Sequence, residues 1–341
     1  MNKAGRILSV NPPYALPEGE VIIECEGFEV NLDGGYGCFF DGQRARLVGA
    51  SASRIIAIVP ENFDTTNVEI YLESGGDRSE SANITVGKKL AEDLHIVANP
   101  AVDPKDDSII VTRSGSRGQQ LPVTLFRLEP DGYLEEMSAD LMNPTGLAFD
   151  PTGQLFATNR ADGEVCKITK SEEVVPYASE LGIATGIAFD KNGVMYIGDR
   201  SGTVYRVSGF GIPEPFATLE PSVSAYHLAF DASGNLCVAA PGLSSFDSIF
   251  VIDKEGSKSE FYRGLGRPQG LAFDREGNLY VAACLRGRRG IVKMTADRRA
   301  EIFVAGMNVI GLCFNRNGDL IAATNEAVYS LPLKIYGTLL G

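Results

Sequence analysis

The chain has 341 residues, 44% hydrophobic and 22% charged, with 31 basic against 44 acidic side chains and a formal net charge of −13. This composition excludes a disordered, collagenous or coiled-coil chain, and the acidic surplus sets it against nucleic acid and anionic membrane surfaces. No run is long and apolar enough to span a bilayer and the first residues hold no apolar leader core, so neither membrane insertion nor export is expected, and the expected location is the cytoplasm.

In chain order, residues 1–87 read as a separate small β domain. Strand patterns fall at Arg6–Val10, Val21–Phe28, Gly37–Asp41, Ala45–Val48, Arg54–Val59, Asn67–Leu72 and Asn83–Val86, with turn residues between them. Val68, Ile70 and Leu72 alternate with Glu69, Tyr71 and Glu73, and Ile23 and Cys25 with Glu24 and Glu26, which gives one face to a core and one to water. Such a domain is a β-sandwich, and the lack of Trp argues against a disulfide-pinned antibody type.

Residues 88–341 are organised by a repeat. Gly146–Arg160 reads GLAFDPTGQLFATNR, and Gly186–Arg200, His227–Pro241, Gly270–Cys284 and Gly311–Asn325 align with it; a degenerate copy runs over Asn99–Ser114. Val102, Phe149, Phe189, Phe230, Phe273 and Phe314 hold equivalent positions, 40 to 47 residues apart. Each copy is a strand ending in Asp or Asn, a D-x-x-G turn and a second strand. Third strands follow at Glu164–Thr169, Thr203–Ser208, Ser248–Asp253, Gly290–Thr295 and Ala327–Leu333, and fourth strands at Val174–Ser179, Pro215–Leu219, Ser259–Arg263 and Glu301–Ala305. Four antiparallel strands per repeat make a propeller blade, so the fold class is all-β, a sandwich followed by a six-bladed propeller. Too few residues follow Phe314 to give blade six its outermost strand, and Lys88–Val97 is the expected donor. The repeated Asp103, Asp150, Asp190, Asp231, Asp274 and Asn315 sit where side chains hold turns. Cys25, Cys38, Cys166, Cys237, Cys284 and Cys313 show no C-x-x-C spacing and read as reduced thiols.

Two resemblances follow from these residues. ILSVNPP near the start, the strand Gly19–Phe28, CFFDG and Ile55–Pro60 resemble the IPT/TIG immunoglobulin-like domain. The repeat G-[LI]-A-F-D-x-x-G-x-L-[YF]-[VA]-A resembles NHL propellers and the senescence-marker/gluconolactonase family. The lactonase branch implies an axial divalent metal held by Glu, Asn and Asp near the starts of the innermost strands. Here the residues preceding the repeat are Ala98, Thr145, Thr185, Tyr226, Gln269 and Ile310, without a carboxylate. No metal is therefore expected. Thr145, Thr185, Tyr226, His227 and Gln269 are expected to form an axial pocket for a neutral polar ligand. No nucleophile elbow, P-loop, HExxH or dinucleotide motif is present, and no catalytic residue or cofactor is assigned.

Loops between second and third strands share a rim with the connections into the innermost strands, here called the top face. Those of blades five, six and one carry an arginine surplus, with Arg113, Arg117, Arg286, Arg288 and Arg289 as the expected docking sector for an anionic protein or small ligand. Arg160 and Arg200, next to Asn159 and Asp199, are expected to pair with acids of adjacent blades. The sandwich is expected to join from the opposite rim and leave the sector free. These features suit a non-catalytic binding or scaffold protein; the alternatives are a lactonase or other hydrolase working in the axial pocket, and a glycan or adhesion module.

Overall fold

The computed structural model describes residues 2–31, 34–115, 119 and 121–338. Every named element is a strand, and no helix is long and apolar enough to cross a membrane.

The first domain packs two sheets over one core. One sheet runs in the order Arg6–Asn11, Glu20–Glu26, Arg54–Ile58, Arg46–Ala50; the other runs Gln43–Arg44, Tyr36–Phe40, Asn67–Ser74, Ala82–Val86, Tyr14–Ala15. Val21, Ile23, Ile55 and Ala57 of the first face Cys38, Phe40, Val68, Ile70 and Ile84 of the second, all buried. The alternation read along Glu20–Glu26 is the alternation of burial in the structure.

Six four-stranded blades follow, with blades four and five joined in one sheet, and their innermost strands (Ala101–Val102, Pro144–Phe149, Ala184–Phe189, His227–Phe230, Leu271–Phe273 and Val309–Phe314) neighbour one another in a closed cycle. The repeat glycines are what this ring requires. A Cβ at Gly146 would lie 2.3 Å from the Thr185 carbonyl oxygen, and one at Gly186 would lie 2.5 Å from that of Tyr226. Backbone therefore meets backbone at these two seams, closer than a side chain permits. The repeated acids do hold turns: Asp150 and Asp190 each accept two backbone N–H groups, from Thr152 and Gln154 and from Asn192 and Val194.

Blade six takes its outermost strand from Lys88–Ala91, antiparallel to Val328–Leu331. It lies within Lys88–Val97, as expected; beyond it the chain turns, and the N–H groups of Leu94 and Ile96 donate to Glu326 and Asn325 on the blade's top loop. Only Gly87 separates this strand from the last strand of the sandwich.

The sandwich does not join from the opposite rim, and that expectation is corrected. Tyr14–Ala15 pairs in parallel with the outermost strand of blade five, Tyr14 with Val304 and Ala15 with Ala305, so the second sheet of the sandwich continues into the propeller. The one-residue link through Gly87 to the outer strand of blade six holds the sandwich beside blade five, whose outer strand Ala300–Ala305 (AEIFVA) carries no proline to blunt its edge.

All six cysteines are free thiols, and only Cys284 is partly exposed. Burial pushes Cys25 up to about 11 and Cys38 up to about 12. In the native protein a soluble maleimide is expected to label Cys284 alone within minutes, and all six after denaturation. Prompt labelling of Cys25 or Cys38, read by mass spectrometry, would contradict this packing.

Candidate functional site

The axial residues are brought together by hydrogen bonds among themselves. The Thr145 hydroxyl lies 3.2 Å from that of Thr158 and donates to the Ala184 carbonyl, and Thr158 donates to the Thr185 carbonyl. Thr185 donates to the Gly198 carbonyl and accepts the N–H of Tyr226 at 3.0 Å. The Tyr226 hydroxyl donates to the Glu220 carbonyl, and burial pushes it up to about 12. Thr145, Thr185 and Tyr226 thus lace blades two, three and four together. Asn99 crosses to the far side, giving its amide N–H to Leu271 and accepting the N–H of Leu312. Gln269 is half-buried, and its backbone N–H donates to Ala282.

His227 differs from the others. It stands where four other blades have Gly, is 5% exposed, and its Nε2 has no hydrogen-bond partner among the described residues. Burial lowers its pKa to about 4, so it is neutral at pH 7. The unfolded chain binds a proton below about 6.5 that the folded chain does not bind until about 4, so stability falls as pH drops through that window. Between pH 7.5 and pH 5 the protein is expected to lose about 2 kcal/mol more than a His227→Gln variant. Parallel pH profiles for the two proteins in denaturant titrations would refute this.

The axial metal implied by the lactonase resemblance does not fit these residues. Among the described residues no three His, Cys, Asp or Glu gather to hold a metal ion, and the axial donors are neutral hydroxyls, amides and one imidazole, too little charge for a hard cation. Two hollows are prominent, and neither is axial. One of about 590 Å³ lies beside Asp140, Glu164 and Glu172; the other, about 170 Å³, lies where Glu18 and Glu61 of the sandwich meet Glu92 and Glu326.

The arginine sector is divided by the structure. Arg288 faces the sandwich: its guanidinium donates to the side chain and carbonyl of Asn11 at 3.0 and 2.8 Å and to the Glu20 carbonyl at 3.3 Å. It belongs to the domain junction and is not free for a partner. Arg286 and Arg289 are exposed, Arg113 is half-buried, and none of the three makes an ion pair among the described residues. Arg117 lies outside the described residues. Neither Arg160 nor Arg200 makes the expected ion pair with an acid of an adjacent blade among the described residues. Arg200 instead donates to the Ser222 carbonyl, while Asp199 accepts the N–H of Ile183. The loops alone made the whole face look basic. The connections on the same rim add Glu92, Asp93, Asp140, Glu180 and Glu220, and also Arg267, so the basic charge is local to blade five and its border with blade four. Arg267 was absent from the reading of the loops because it precedes an innermost strand.

A ring of four-stranded blades around an axis defines the class: the chain is a β-propeller carrying a further β domain. No protein-family model matches it, and no curated protein matches it in sequence. Solved structures share the fold. A gluconolactonase from Xanthomonas campestris is 15% identical with a TM-score of 0.57, over 72% of this chain and 88% of that one. The virginiamycin B lyase of Staphylococcus aureus is 15% identical with a TM-score of 0.51, over 72% and 97%. An auxiliary nutrient binding protein from Bacteroides ovatus is 10% identical with a TM-score of 0.58, over 97% and 98%.

Proposed function

We propose that this protein is a non-catalytic binding or scaffold protein that engages an anionic partner through the top face of its propeller. The observation that carries the reading is the set of arginines at blade five and its border with blade four. Arg267, Arg286 and Arg289 stand exposed without a carboxylate partner among the described residues, on a chain of net charge −13. Unpaired guanidiniums that repel one another are matched by carboxylates or phosphates of a partner. The axial hydroxyls support the same reading from the other side, since those of Thr145, Thr185 and Tyr226 already bond to the protein.

In this reading residues 1–87 are an IPT/TIG-like immunoglobulin-type domain and residues 88–341 an NHL-like propeller of a cytoplasmic protein. The likeness to the Bacteroides ovatus nutrient binding protein, which spans 97% of this chain, is compatible with a binding role for the two-domain arrangement. The rival is a hydrolase that uses His227 in the axial pocket, favoured by the buried and unpartnered Nε2. Two measurements decide. Binding of poly-glutamate is expected to weaken in the Arg286→Ala/Arg289→Ala variant and to lose much of its salt dependence. Lactone hydrolysis by the purified protein that vanishes in His227→Gln would establish the rival instead.

A further inference from the structure

Blades four and five are joined edge to edge. The end of blade four's outermost strand pairs with the end of blade five's second strand, Leu265 with Leu285 and Gly266 with Cys284, and Cys284 pairs in turn with Arg289. This register sets Arg263 and Arg267 of blade four beside Arg286 and Arg289 of blade five. All four are exposed, and none makes an ion pair among the described residues.

Beside them the loop between the second and third strands of blade four raises two apolar side chains into solvent. Leu243 is 96% exposed and Phe246 is 61% exposed. The Arg263 guanidinium stands 5.7 Å from the centre of the Phe246 ring, and a Cβ at Gly264 would lie 3.2 Å from that ring. The loop and the arginines are fixed by one buried group. Asp247 accepts the Gly242 N–H on one carboxylate oxygen, at 3.0 Å, and the Arg267 N–H on the other, at 3.2 Å. Arg286 and Gly287, at φ 52° and 85°, form the two-residue hairpin turn between Leu279–Leu285 and Arg288–Met294, which presents Arg286 at the rim.

We propose that this seam is the docking surface for a second protein whose own face carries carboxylates around an apolar pocket. The proposal rests on the anionic-partner reading above and names the partner's class. Charge complementarity supplies the carboxylates, since none of the four guanidiniums makes an ion pair among the described residues. The shape supplies the pocket. Small ligands are held in concave sites, and Leu243 instead projects from the surface, as an anchor that a partner's cavity receives. Nucleic acid fits poorly, because its affinity draws on many phosphate contacts and the same face carries Glu180 and Glu220 on the neighbouring connections.

The test uses the full chain and two polymers, poly-glutamate and a random copolymer of Glu and Tyr, with affinity read by fluorescence anisotropy in 0.15 M salt. The copolymer is expected to bind about tenfold more tightly, equivalent to about 1.4 kcal/mol. A Leu243→Ser/Phe246→Ser variant, folded by circular dichroism with an unchanged Tm, is expected to erase that difference and still bind poly-glutamate. The Arg286→Ala/Arg289→Ala variant is expected to lower both affinities. Equal binding of the two polymers by the wild-type protein would overturn the apolar anchor and leave the arginine reading standing. Binding of neither would overturn both. Tighter binding of poly(U) RNA than of the copolymer would overturn the partner class, and so would a concentration-dependent dimer that the Leu243→Ser/Phe246→Ser variant abolishes.

Discussion

Replacing Leu16 by Ala is expected to destabilise the propeller by about 2–5 kcal/mol, although Leu16 lies in the chain between strands of the sandwich. The side chain is 1% exposed and shares an apolar cluster with Tyr280, Leu312 and Leu331 of blades five and six. A Cβ at Gly87 would lie 2.8 Å from Leu16, and one at Gly306 would lie 3.1 Å from it, so the surrounding wall is tight and the cavity left by truncation cannot easily collapse. Its backbone is held as well, the N–H donating to the Ala305 carbonyl at 2.7 Å. Tyr14 adds a ring contact with Phe303, 4.9 Å between centroids. The first domain therefore contributes part of the propeller's own core. Denaturant titration of Leu16→Ala should show the loss on near-ultraviolet signals from the propeller tyrosines. A loss below about 1 kcal/mol would mean that the two domains merely touch.

Arg288→Ala is expected to cost about 1–3 kcal/mol of stability, while Arg286→Ala and Arg289→Ala each stay within about 0.5 kcal/mol. Three adjacent arginines thus separate into two kinds. Arg288 gives two hydrogen bonds to Asn11 and one to Glu20, and its removal strands two carbonyls at the domain junction. Its Nε is already buried without a partner, and burial lowers the pKa of the guanidinium. Lysine cannot replace the fork that reaches both Asn11 oxygens, so Arg288→Lys should recover only part of the loss. Poly-glutamate binding should follow the opposite order, falling with Arg286 and Arg289 more than with Arg288. Equal thermal shifts across the three single variants would refute the division.

The architecture was legible because its signals are local or periodic. The D-x-x-G turns, the glycines at the repeat and the shortfall after Phe314 are written in short spans, and each has a single geometric solution. The closing strand could even be sought by elimination. The docking of the sandwich was not legible from charge, because Arg288 reads like its neighbours until the register of Tyr14 with Val304 is known. A signal was present in Ala300–Ala305, the apolar outer strand without proline, but it requires comparing edges across blades. The axial hydroxyls show a different limit. Thr145 and Thr185 are ligand-like in type, and only three-dimensional proximity shows each bonded to a neighbouring carbonyl. Asp247, which organises the blade four loop, looks in the sequence like any other acid before a strand.

The strand that closes the ring also sets a timetable for making it. Lys88–Ala91 leaves the ribosome well before its partner Val328–Leu331. At ordinary elongation rates that separation is on the order of ten to fifty seconds. Throughout it the strand is an open edge, and the growing blades have no complete circle to join. Lys88 and Lys89 stand on that edge, and lysines there discourage pairing with a neighbouring chain on the same polysome. The first domain then acts during synthesis as the holder of an unfinished joint, released from that duty only when the sixth blade arrives.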